Sequence, residues 1–249
     1  MKKLLIIFIV FLSITFFFGQ IYGQSKPFKF GIRGKYNMAD VTENLSGFFE
    51  VEVEGFTIPV SLDQKMYNTF GFGGFVEYWF NPMFALQVNA QYNMKGTKAE
   101  GDIDYSTSYA GFPLSITGNA EGTVKFSYLS FPILGKLAFG NEGAIRPYLV
   151  AGPELGFVLS AKVKSEGNAT AEFMGMTESA SANEEIDIKD EVESVEFALD
   201  FGGGLLFPVG SNLDIFVDAQ YSAGLTKVNK TGSDDVKNKV IYFNLGIVF

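Results

Sequence analysis

Eight stretches of this chain place apolar side chains at every second position, and the connections between them alternate between long and short. Strand side chains point in turn to the two faces of a sheet, so each stretch reads as a β-strand with one oily face. The alternation is cleanest at 84–94, where Phe84, Leu86, Val88, Ala90, Tyr92 and Met94 oppose Gln87, Asn89, Gln91 and Asn93. The other stretches begin near Phe28, Thr69, Phe126, Ile145, Val195, Leu213 and Val240. Asn81-Pro82, Gly140 to Gly143 and Pro208 to Asn212 are short turns. Polar segments at 41–68, 96–122, 161–194 and 226–237 read as long loops, the first with room for a hairpin of its own. Pro132 lacks a ladder donor and predicts a kink in the fourth strand.

The last strand, VIYFNLGIVF, sharpens the problem. Ile241, Phe243, Leu245, Ile247 and Phe249 form a wholly apolar face, and no residue after Phe249 is left to cover it. A bilayer is the expected cover. Even-numbered antiparallel strands, short turns at one end, long loops at the other and apolar faces of about 9–11 residues are the pattern of barrels that cross a membrane by strands. Closure removes the unpaired edges that an open sheet would expose to lipid. The predicted fold is all-β: an eight-stranded antiparallel up-and-down transmembrane β-barrel closed by its first and last strands. A composition of 47% hydrophobic and 16% aromatic residues, with 27 Phe and 28 Gly, fits such a barrel.

The N-terminus has the layout of a secretory signal: Lys2 and Lys3, an apolar run from Leu4 to Phe18, then small residues up to Gly23. Residues 1–23 are expected to be a cleaved signal peptide and 24–249 the barrel, which places the mature protein in the outer membrane. Residues Phe243, Leu245, Ile247 and Phe249 resemble the C-terminal signal by which barrel-assembly machinery recognises its clients.

Alternation alone leaves two orientations open: apolar outside, as in a membrane barrel, or apolar inside, as in a soluble lipocalin-like binder. The polar faces carry Lys29, Arg33, Lys35, Glu77, Lys136, Arg146, Glu154, Glu196, Asp200, Asp214 and Asp218. Charges of both signs suit a narrow interior held by ion pairs. Aromatic residues near the strand ends, among them Phe28, Phe70, Tyr78, Phe80, Phe84, Tyr92, Phe207, Tyr221 and Phe249, suit interfacial girdles. An eight-stranded barrel is filled by its own side chains, so an open channel is not expected.

The chemistry is bounded by what is missing. With no His and no Cys, the triads that need them and ordinary zinc sites are excluded, and no cofactor is expected. Paired carboxylates, Asp200 with Asp214 or Asp218, are the remaining acid and base candidates, with interior ion pairing the simpler reading. The acidic stretch from Glu184 to Glu193 matches no EF-hand spacing and reads as a solvated loop, Ca²⁺ binding being its alternative. A net charge of −9 argues against nucleic acid as a partner.

The stretches FGIRGKYNMAD, YLSFPILGK, RPYLVAGPELGF, FGGGLLFPVG, DAQYSAGLTKV and the terminal F-x-L-G-I-V-F occur in an order that resembles the PorT-like outer-membrane barrel family of Bacteroidetes. Gln220 stands where that family carries Arg before the Tyr. The resemblance implies an integral barrel in contact with outer-membrane lipid and, through its founding member, an association with protein secretion. The expected function is therefore a non-enzymatic structural or interaction role among envelope or secretion proteins. A small-solute or ligand-binding pore is the alternative.

Overall fold

The computed structural model describes residues 27–43, 47–53, 56–109, 111–210, 213–230 and 235–249, with the backbone alone at 47–53, 56–60 and 109. The expected signal at 1–23 lies outside the described residues. The strands are β1 (Phe28–Val41), β2 (Gly47–Val53), β3 (Phe56–Lys65), β4 (Tyr67–Trp79), β5 (Phe84–Tyr109), β6 (Phe112–Ala138), β7 (Arg146–Phe173), β8 (Met176–Asp187), β9 (Val195–Pro208), β10 (Asp214–Gly224) and β11 (Asn238–Val248). Among the described residues the only helical turn is a 3₁₀ turn at Lys189–Glu191.

Eight of these strands form a closed antiparallel ring in the order β1, β4, β5, β6, β7, β9, β10, β11. The ring closes where β1 pairs with β11, from Gly31 opposite Val248 to Val41 opposite Asn238. All eight strands expected from the alternation are present, and the fold is the all-β antiparallel barrel read from the sequence.

The apolar faces point outward. Phe72 is 66% exposed and Leu245 60%, whereas Arg33, Lys35, Glu77 and Glu154 are buried within the ring. This is opposite to the lipocalin-like orientation. Outward aromatic pairs gather at the short-turn rim, with Phe28 and Tyr78 at 4.9 Å and Phe80 and Phe84 at 5.4 Å between ring centroids. A second level carries Tyr36 and Phe70 at 5.6 Å. From Phe28 to Tyr36 is about 27 Å along the strand, or about 20 Å along the axis at the usual tilt, against the ~25 Å band of such barrels.

Two expected loops are strands instead. The β5/β6 ladder continues past the ring to Tyr109 opposite Phe112, and β7 runs on to Phe173 before β8 returns. Met174 and Gly175, at φ 54° and 75°, make the tight turn between them. The hairpin foreseen within 41–68 is β2/β3, and it docks on the extended β5 at Lys98 to Glu100. The result is a crown of hairpins standing on the long-connection end of the barrel. β8 does not read as a strand in the sequence because every one of its side chains is exposed, and along 103–108 of β5 the inner side is only half-buried, which weakens the period-two contrast. Pro132 disturbs the ladder as expected. Pairing between β5 and β6 skips Asn89 and Ala90, and the Asn89 side chain donates to the Pro132 carbonyl at 3.0 Å.

Candidate functional site in the barrel interior

Alternation delivers the polar side chains of eight strands into one narrow space, where they sort into tiers. At the short-turn end an aromatic and aliphatic plug forms from Phe75, Trp79, Leu134, Tyr148, Leu206 and Phe216, all buried. Phe75 of β4 meets Phe216 of β10 at 5.7 Å, although two strands separate them around the ring. Gly31 makes room for this contact, since a Cβ there would lie 2.2 Å from the Phe75 ring. The Arg33 guanidinium packs against both rings, 4.6 Å from Phe75 and 5.3 Å from Phe216.

Just inside the plug, Lys136 pairs with Glu77 at 2.6 Å, and Trp79 Nε1 donates to the other Glu77 oxygen at 2.9 Å. The Lys136 ammonium also lies 4.3 Å from the Tyr148 ring. Tyr148 donates to Asp218 at 2.6 Å, and Gln220 and Asn244 donate to the same carboxylate. Arg146 packs on Trp79 and donates to the Pro82 carbonyl in the first short turn. Lys29 and Asp214 are partly exposed at the rim and pair at 3.1 Å.

The second tier lies toward the crown. Lys95, fully buried, reaches past β6 to Glu154 at 2.8 Å and to Glu196 at 3.4 Å. Ser130 donates to Glu154, and Asn238 donates to Glu196 at 3.1 Å. Lys35 donates to Gln91 at 2.7 Å and sits 3.6 Å from the centre of the Tyr242 ring. Asp200 is buried beside this group, with Ser222 opposite it in register. Asn238 of β11 also donates to the Tyr128 hydroxyl of β6 at 3.1 Å. Four steps separate β11 from β6 in either direction around the ring, so this bond joins opposite walls and spans the lumen.

Nine of the eleven charges singled out in the sequence are buried inside the ring, Lys29 and Asp214 lying at its rim, and the nine do not form one cluster. Asp200 stands opposite Ser222 while Asp218 stands opposite Gly204, and Asp214 is at the rim. The acid and base pairing considered for these three is therefore not assembled. Lys95 was missed, although the polar face Gln87, Asn89, Gln91, Asn93 leads to it in one further step. Tyr128 and Tyr242 have inward parity in their strands, whereas Asn238 gave no such signal, because asparagine is also an ordinary loop residue. The acidic stretch is drawn out along β8 and the turn after it, with Glu184 and Glu185 on opposite faces. Among the described residues no three acidic side chains converge on a metal position.

Phe243, Leu245, Ile247 and Phe249 lie on the outward face of the last strand and its end, while Tyr242, Asn244 and Val248 are buried within. Phe249 and Phe30 exchange backbone hydrogen bonds of 2.8 and 2.9 Å at the short-turn rim.

No curated protein matches the chain. Among solved structures it is similar to the Neisserial surface protein A, at 13% identity and a TM-score of 0.41, covering 91% of this chain and 98% of that one. It is also similar to OprG of Pseudomonas aeruginosa, at 14% identity and a TM-score of 0.38, with 90% and 97% covered. The attachment invasion locus protein Ail of Yersinia pestis matches at 14% identity and a TM-score of 0.31, with 90% and 100% covered. Residues 18–230, most of the eight-stranded ring, match a family described as the outer membrane protein beta-barrel domain, and the chain belongs to that family.

Proposed function

We propose that this protein is a closed, non-enzymatic outer-membrane barrel that anchors a β-sheet crown for interaction with other proteins. The observation that carries the reading is the Asn238 to Tyr128 hydrogen bond between opposite walls, with the aromatic plug beneath it. Side chains crossing the lumen at two levels support a closed barrel, whose work then falls to surfaces outside the lumen. The crown is the one of these built from strands that extend past the ring.

The export route follows from the two ends of the sequence. Residues 1–23 direct secretion and are removed, leaving 24–249 as the barrel. The outward face ending in Phe243, Leu245, Ile247 and Phe249 is read by the barrel-assembly machinery. The short-turn end, where Phe28 and Phe249 meet, faces the periplasm, and the crown faces outward from the cell. The PorT-like resemblance favours a role in protein secretion or envelope assembly over a solute-handling one.

Planar-bilayer recording tests the reading. Purified protein inserted in a lipid bilayer is expected to give no steady conductance. Reproducible single-channel steps would overturn it in favour of the pore.

A further inference from the structure

Strand β8 has an unusual position. Its twelve residues, Met176–Asp187, are all exposed, it is hydrogen-bonded along one edge to β7, and it pairs with no other described strand. The register with β7 is unbroken from Phe173 opposite Met176 to Lys162 opposite Asp187. Free sheet edges are ordinarily blunted by charged side chains, above all lysine, by proline, by a bulge or by a covering segment, and the only charges on β8 are acidic and lie outside its centre. β8 has no Lys, Arg or Pro, no bulge interrupts it, and no described segment hydrogen-bonds to its outer side. Its centre, Ser179 to Asn183, is small and uncharged, so a second backbone can come close. At about 3.4 Å per residue the edge is roughly 40 Å long.

Its charges narrow the choice of occupant. Glu178, Glu184, Glu185 and Asp187 are its only ionised side chains, all negative, and Lys162 of β7 already engages Glu185. Glu178 and Glu184 share one face. A second copy pairing antiparallel about Ser181 would set Glu178 opposite Glu184 at both ends, and like charges directly opposite oppose pairing. The same two carboxylates attract a strand that carries cations at that spacing.

We infer that the β8 edge takes up an extended, lysine- or arginine-bearing segment of another polypeptide by β-strand addition. Main-chain hydrogen bonds to the free edge hold it, and Glu178 and Glu184 select its charge. The inference rests on the reading of the crown as an interaction surface and names the chemistry of its partner.

The test uses the full protein in lipid nanodiscs and two labelled heptapeptides, KTVTVTK and its counterpart with Glu at both ends. The lysine peptide is expected to bind about tenfold more tightly at low salt, with the advantage shrinking as salt is added. It should slow hydrogen exchange of the β8 amides, and backbone N-methylation of the peptide should abolish binding. The double variant Glu178→Lys and Glu184→Lys, altered only on exposed side chains outside the ring, should prefer the glutamate peptide. Equal affinity for the two peptides, unchanged exchange in β8, or undiminished binding of the N-methylated peptide would each overturn the inference. Sedimentation showing self-association through β8 would overturn it too, by giving the edge to a second copy. Failure with these peptides while bilayers stay silent removes the β8 assignment alone, whereas ion conductance removes the reading it rests on.

Discussion

Lys95 holds two carboxylates from two other strands, Glu154 of β7 and Glu196 of β9, in a space where all three side chains are almost wholly buried. A buried ion pair adds little net stability over well-packed apolar residues, but removing one partner leaves uncompensated charge behind. Replacing Lys95 with Met is therefore expected to destabilise the barrel by about 3–5 kcal/mol, the cost typical of breaking such a pair. Adding Glu154→Gln and Glu196→Gln to that variant should restore much of the loss. Denaturant unfolding of the refolded protein in detergent would check both, and a triple variant no more stable than Lys95→Met would show that charge is not the cause. Glu154 and Glu196 were legible in the sequence, because an inward position on an amphipathic strand needs only correct parity, whereas Lys95, one step past the recognised strand, was not. Nor were the partners: Lys95 meets Glu196 across 101 positions, and Asn238 meets Tyr128 across 110. Such pairings depend on ring closure and on the axial stagger of strands, which no local pattern records.

At the level of elements, the eight membrane strands could be read because lipid on one side and a polar interior on the other impose a period of two. The extensions of β5 to β7 and β8 escaped because that contrast fades there: β8 is exposed on both faces, and the inner side of the β5 extension is only half-buried at its end. At 103–108, Ile-Asp-Tyr-Ser-Thr-Ser keeps strand-forming residues, but Ile103, Tyr105 and Thr107 are only half-buried and mark the side weakly. Ion pairs across the strands take over part of the ordering. Glu100 of β5 accepts from Lys65 of β3 at 2.5 Å and pairs with Lys98 at 2.6 Å, while Lys98 also reaches Glu121 of β6 at 2.7 Å. The two lysines hold the Glu100 carboxyl down at about 2, from an ordinary 4.5. A carboxyl with a lowered value in the folded state stabilises that state above its unfolded value and loses the contribution as pH falls through the folded one. The seam between β3 and β5 should therefore be indifferent to pH from neutral to about 4.5 and loosen between about 4.5 and 2. Hydrogen exchange at 63–65 and 98–100, corrected for its intrinsic pH dependence, would follow this. Glu100→Gln should remove the transition, and its persistence in that variant would assign it elsewhere.

For the molecule as a whole, the decisive event is closure of β1 on β11, and Phe249 takes part in it twice. Its backbone exchanges hydrogen bonds with Phe30, completing the seam at the short-turn rim, and its ring is 55% exposed on the lipid side. These roles separate by substitution. Phe249→Asp keeps the backbone pairing but puts a charge at the edge of the apolar band, where the cost is small, about 0–1 kcal/mol for residues near the interface. Deleting Phe249 loses the pairing as well. If the outward face of the last strand serves as a recognition signal, Phe249→Asp should refold into detergent micelles nearly as well as the parent yet reach the outer membrane of growing cells at a much reduced level. If the residue matters only to the seam, the aspartate variant should assemble in cells as efficiently as it refolds, and only the deletion should fail in both settings. Heat-modifiable mobility on gels, compared between refolded protein and isolated outer membranes, distinguishes the two, and equal yields of the aspartate variant and the parent in cells would remove the signal from Phe249.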